Sequence, residues 1–195
     1  PPQLGGSVRT TPTIHNGVIY IGGGDQQSFM AYDLATGALI WSRDVLSVSV
    51  PGLFGATRYG PTVVLDVAGT TAAFWTTDGG KLVGVDVVNL ALGLDGLTMY
   101  APLLAGYPFD MGYGGWVGLA TDGVSLFAGT YSNAGEGDLF SVDAATGTLN
   151  WQLSGTAGMQ ASVIYGADYT GLEEGFQGGV AYDDGILFAN SYCTG

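Results

Sequence analysis

Two stretches of this chain read alike: 16-NGVIYIGGGDQQSFMAYDLATGALIW-41 and 122-DGVSLFAGTYSNAGEGDLFSVDAATGTLNW-151. Each opens on Asn/Asp-Gly and runs through an apolar strand into a Gly-rich turn. Each returns through a second strand that ends in Asp33 or Asp143. Then come x-Ala-Thr-Gly, three further residues, and Trp41 or Trp151. The turn chemistry is specific. The aspartate can accept hydrogen bonds from the amides that follow it, and Gly37 or Gly147 can take a positive φ at the exit. From Gly17 to Asp33 is 16 residues and from Gly123 to Asp143 is 20. The four extra residues fit most simply in the turn around Thr130–Gly137.

Working outward, residues 118–128 (GLATDGVSLFA) match 179–189 (GVAYDDGILFA) at six of eleven positions without a gap, so a new unit starts near the end. Between the two clear copies lies a worn one. Residues 69–86 (GTTAAFWTTDGGKLVGVD) repeat strand, turn, strand and terminal Asp86, but the following VVNLALGLDGL has lost both the Thr-Gly turn and the tryptophan. The units are 1–58, 59–115, 116–175 and an incomplete 176–195. Their length, roughly 50–60 residues, is somewhat more than a short four-stranded blade needs, with the excess in loops such as Val45–Tyr59, Tyr100–Gly115 and Thr156–Gly175.

Apolar runs of four to six residues predict short buried strands at Val18–Ile21, Ala72–Trp75, Leu82–Val85, Ser125–Ala128 and Ile186–Ala189. A period of two sets Leu39 and Trp41 on one face. Hydrophobic residues make up 47% and charged residues 11% of the 195, which excludes a disordered tail. The 35 glycines follow no collagen period and read as turns between strands. Seventeen acidic against four basic side chains, net −13, exclude a nucleic-acid partner and disfavour an anionic membrane surface. The longest apolar run, Val83–Leu94, is interrupted and too short to insert across a membrane. The opening Pro1-Pro2 lacks a signal pattern and reads as a processed or partial chain. Cys193, the sole cysteine, reads as a small buried residue, with a partner cysteine elsewhere as the alternative.

A sheet that is apolar on both faces cannot bury them alone, so radial stacking of such units is the natural outcome. The expected fold is all-β, a β-propeller of four-stranded antiparallel blades: about three blades, the start of a fourth, and a larger ring to which they belong. Ala31-x-Asp33-x-x-Thr36-Gly37-x-x-x-Trp41 resembles the tryptophan-docking motif of the quinoprotein-like (PQQ-like repeat) propellers. Ser141-x-Asp143-x-x-Thr146-Gly147-x-x-x-Trp151 matches with serine first. The resemblance implies that these residues hold blades together. It leaves function open, because quinone-dependent dehydrogenases share the motif with non-catalytic relatives such as the lipoprotein scaffold of outer-membrane assembly. In the dehydrogenases the resemblance implies pyrroloquinoline quinone and calcium near the axis.

Calcium takes six to eight oxygen ligands, and Asn133, Glu136 and Asp138 crowd one turn; a solvated polar turn is the plainer reading. The same holds for Glu173-Glu174 with Asp168. His15 lacks a triad or metal partner at a telling spacing. The loop Tyr107–Trp116 carries Tyr107, Phe109, Tyr113 and Trp116, which could stack on a sugar, a quinone or a partner, or form inter-blade core. Trp75 reads as core, standing in for the lost docking tryptophan.

The first expectation is an exported binding or scaffold module, extracellular or in the periplasm and cell envelope, with no catalytic residues. Its partners are remaining blades, another subunit or further copies of itself. The alternatives are a PQQ- and calcium-dependent alcohol or sugar dehydrogenase and a glycan-binding adhesin.

Overall fold

The computed structural model describes residues 10–24, 28–43, 60–114, 118–130, 137–155 and 180–189. Every regular element among them is a strand. The first unit holds β1 (Thr10–Thr11), β2 (Thr13–His15), β3 (Val18–Gly22), β4 (Phe29–Asp33) and β5 (Leu39–Arg43). The second holds β6 (Gly60–Pro61), β7 (Val63–Val67), β8 (Thr70–Thr76), β9 (Lys81–Asp86), β10 (Ala91–Leu92), β11 (Met99–Tyr100) and β12 (Phe109–Asp110). The third holds β13 (Ala120–Thr121), β14 (Ser125–Gly129), β15 (Gly137–Asp143) and β16 (Leu149–Gly155). The fourth begins with β17 (Val180–Asp183) and β18 (Ile186–Ala189).

Three antiparallel four-stranded sheets result, ordered β2-β3-β4-β5, β7-β8-β9-β12 and β13-β14-β15-β16, followed by the hairpin β17-β18. The pairings Val18↔Asp33, Ala72↔Asp86 and Ser125↔Asp143 superpose the units. They also locate the extra residues of unit three: Gly22 to Phe29 is seven residues and Gly129 to Leu139 is ten, so three lie in that turn and one precedes Ser125.

Period-two alternation buries both faces of the middle sheet. Ala72, Phe74 and Leu82 join Leu126, Ala128, Phe140 and Val142 of unit three in one core. Their neighbours Ala73, Trp75, Val83 and Val85 join Tyr20, Phe29, Ala31 and Trp41 of unit one in another. Strands buried on both sides read as continuous apolar runs, and this explains the runs in the sequence.

Two expectations change. Leu39 and Trp41 do not share a face. A bulge shifts the register, pairing Ala31 with Trp41 and Tyr32 with Leu39, so the extra residue inverts the alternation. The same shift separates Leu149 and Trp151, opposite Val142 and Ser141. The second unit is also not simply worn. Asp86 keeps its turn, with Asn89 in place of threonine, and its carboxylate accepts from Val88 N and Asn89 N at 2.8 Å each. A hairpin, β10-β11, then intervenes before the outer strand. That strand returns through Leu103, bridged to Val85, and pairs Phe109 and Asp110 with Leu82 and Lys81.

Candidate functional site

The docking turns come first because they place everything else. Asp33 Oδ1 accepts from Thr36 N at 2.7 Å and from Thr36 Oγ1 at 2.6 Å; Asp143 Oδ1 accepts from Thr146 N and Thr146 Oγ1 at 2.8 Å each. The amides of Gly37 and Gly147 close each turn onto the aspartate carbonyl, with φ of 67° and 69°. These hydrogen bonds hold the Asp33 carboxyl below its usual pKa. Trp41, 1% exposed, lies in the seam with unit two, its ring 5.9 Å from Phe29 and 6.3 Å from Tyr20.

In the second seam the docking group is Tyr107. It is buried, 5.4 Å from the Phe74 ring, and its hydroxyl donates to the carbonyls of Asp143 (3.2 Å) and Ala144 (3.1 Å) in the next turn. Burial pushes its pKa up, with the Asp143 charge adding, so it remains a donor. The preceding residue must be glycine. Gly106 has φ 82°, and a Cβ there would come within 1.9 Å of Thr146 O. Trp75 is not the stand-in: it faces unit one, stacked on Phe29 at 4.1 Å and 6°. A tyrosine displaced behind an inserted hairpin has no fixed spacing from Asp86, so spacing alone could not have found it.

Among the described residues the third seam is covered only in part, by the hairpin β17-β18. Phe127 takes the place of Tyr20 and Phe74; it lies 6.1 Å from Trp151 and stacks on Tyr182 at 5.5 Å. Trp151 stays 37% exposed, with Leu153 exposed on the same face. A cleft of about 330 Å³ there is lined by Asp122, Phe127, Trp151, Tyr182, Ile186 and Leu187.

The antiparallel order puts the starts of β4, β9 and β15 at one end, opposite the docking turns. Asp138 lies here. Its amide donates to Thr130 Oγ1 (2.9 Å), and its carboxylate accepts from Gln152 Nε2 (3.0 Å). Asn133, Glu136, Asp168, Glu173, Glu174, Trp116 and Cys193 lie outside the described residues. Among the described residues no three of His, Cys, Asp and Glu converge as metal ligands. Lys81 pairs with Asp110 at 2.5 Å. Arg43, which the sequence reading passed over, is 3% exposed at this end of β5; it donates to Ala101 O at 2.6 Å and stands 5.8 Å from the Tyr100 ring centre. Burial lowers its pKa to about 10, so it stays charged at neutral pH. A calcium-quinone centre would need converging oxygens and a basic group facing the ligand. The described residues do not assemble one: Asp138 is turned to Gln152 and Arg43 to blade backbone. His15 Nε2 meets Asn16 Nδ2 at 3.0 Å in an exposed turn. Of the aromatic loop, Tyr107 is seam, Phe109 packs edge-on to Phe140 at 5.8 Å, and Tyr113 is 41% exposed.

The seams and stacked sheets are those of a β-propeller, as expected, and the comparisons support the PQQ-like repeat class that its docking turns resemble. More particularly, residues 2–89 match the family model described as outer membrane protein assembly factor BamB. BamB from Moraxella catarrhalis is 18% identical, with a TM-score of 0.57 over 95% of this chain and 47% of that one. Quinohemoprotein alcohol dehydrogenase ADHIIG from Pseudomonas putida HK5 is 19% identical, with a TM-score of 0.62 over 95% and 28%. The Comamonas testosteroni quinohemoprotein alcohol dehydrogenase is 18% identical, with a TM-score of 0.52 over 78% and 22%. The chain therefore spans less than half the length of these proteins. No curated protein sequence matches it. At these identities the structural likeness is one of fold.

Proposed function

We propose that this chain is a non-catalytic binding or scaffold portion of a larger PQQ-like repeat propeller in the cell envelope. The observation that carries the reading is the match of residues 2–89 to the assembly-factor family, whose description names the outer membrane. Two features of the geometry support it. The aspartates of the docking motifs are engaged by their own turns, and the face of unit three that carries Trp151 and Leu153 has exposed apolar surface for a further blade. In the two complete seams the corresponding ring is covered by the next sheet. A ring of about four to eight blades would complete this one, from the same chain or from another subunit. The chain's units would run 1–58, 59–115 and 116–175, and calcium ligation by Asn133, Glu136 and Asp138 would go with the dehydrogenase alternative only.

The two docking motifs, at Asp33–Trp41 and Asp143–Trp151, motivate a second reading, a quinone- and calcium-dependent dehydrogenase of alcohols or sugars. The protein as isolated, titrated with pyrroloquinoline quinone and calcium and assayed by dye reduction with simple alcohols, separates the two. The scaffold reading expects neither a quinone spectral change nor turnover, and turnover would overturn it. The glycan-binding alternative loses its platform in part, since Tyr107 and Phe109 face the core.

A further inference from the structure

The hairpin inserted into unit two is an addition that its seam does not use, because Tyr107 makes that contact. Its root is anchored: Val87, Leu90 and Met99 pack against the core between units one and two. Its tip is held in one shape. Asp95 Oδ1 accepts from Leu97 N and Thr98 N at 2.9 Å each, Asp95 Oδ2 accepts from Thr98 Oγ1 at 2.6 Å, and Gly93 N donates to Thr98 O at 2.7 Å. Out of this turn project Leu94, 76% exposed, and Leu97, 86% exposed, with Leu92 and Val88 exposed behind them. Four large exposed apolar side chains within ten residues of one hairpin concentrate apolar surface where interaction sites are found. A preorganised tip also loses little entropy on binding.

Charge selects the occupant. The chain is −13, and of the described cations Arg43 is buried and Lys81 is paired with Asp110. Asp95 and Asp86 flank the patch, and no described cation offsets them. A second copy would bring like charge against like, and an anionic bilayer would be repelled. We propose that Leu94 and Leu97 form a docking knob for a partner protein that offers an apolar pocket rimmed by Lys or Arg. This rests on the scaffold reading and names its partner's chemistry.

The test places the photo-crosslinking residue benzoylphenylalanine at position 94 or 97 of the full protein in the cells that make it. Position 124, also exposed (Val124, 66%), serves as the control. One protein adduct is expected from 94 and 97 and none from 124. The captured protein, once purified, should bind the wild type. Binding should weaken about tenfold or more with Leu94→Ser/Leu97→Ser, and further as salt rises from about 50 to 500 mM. Thermal unfolding of that double variant should stay unchanged. Adducts to the chain itself, to lipid or to nothing would overturn the proposal, as would binding indifferent to the double variant or to salt. Quinone-dependent turnover alongside an intact adduct would overturn the scaffold reading and leave the knob standing; neither turnover nor adduct would overturn the knob alone.

Discussion

At Tyr107 the hydroxyl reaches Asp143 O and Ala144 O across the seam, 36 and 37 residues away in sequence. Tyr107→Phe keeps the ring and removes the donor, and should cost about 1 kcal/mol in denaturant unfolding. Tyr107→Ala also empties the seam and should cost about 3–5 kcal/mol. No cost for Tyr107→Phe would mean that the hydroxyl does nothing, and equal costs for the two variants would mean that the ring adds nothing. Glycine has two different reasons in neighbouring places. Gly37 has φ 67° but open space around it, so Gly37→Ala should cost only the left-handed penalty of about 1–2 kcal/mol. Gly106 adds a backbone collision with Thr146, and a Cβ at Gly84 would come within 2.7 Å of the Phe74 ring and 3.0 Å of the Tyr107 ring. Gly106→Ala should therefore be the worse of the positive-φ pair, at about 3 kcal/mol.

The turns are built on carboxylates, and this gives them a common pH dependence. Hydrogen bonds from Thr98 and Leu97 lower Asp95 to about 2, and those from Thr36 lower Asp33. Asp86 is lowered too, its hydrogen bonds from Asn89, Val88 and Thr70 outweighing an opposing desolvation. Lys81 and Gly112 lower Asp110. A carboxyl whose folded pKa lies below its unfolded value of about 4 stabilises the fold above that value. It loses this contribution as pH falls through the folded pKa. Stability should thus be flat above about pH 5 and decline from about pH 4 toward pH 2. Urea midpoints across that range measure it, and Asp95→Asn together with Asp33→Asn should flatten the slope. The turns were legible in the sequence wherever aspartate, threonine and glycine kept their spacing. In unit two they were not, because an inserted hairpin moves the returning strand without changing the strands it serves.

For the whole molecule the question is what covers each seam. Trp41 is closed in by unit two, so Trp41→Ala should cost about 3–5 kcal/mol in any form of the protein. Trp151 is covered only in part among the described residues. In the 195-residue chain Trp151→Ala should cost clearly less than Trp41→Ala; in a longer or assembled form with the further blade proposed above, the two should converge. Unfolding of both variants in both forms checks this, and a persistent difference would mean that no blade docks there.

The sequence alone determined the class of fold, the inner strands of the three four-stranded sheets and the two tryptophan turns. Those features follow from local chemistry: side-chain alternation, an aspartate that caps the following amides, and a glycine that tolerates positive φ. Only the tertiary structure decided that Tyr107 docks the second seam, that Trp75 faces backward, that Leu39 and Trp41 part at a bulge, and that Leu94 and Leu97 stand in solvent. A bulge inverts every face beyond it, and a seam joins residues far apart in the chain. A residue's burial therefore depends on what another sheet brings to it.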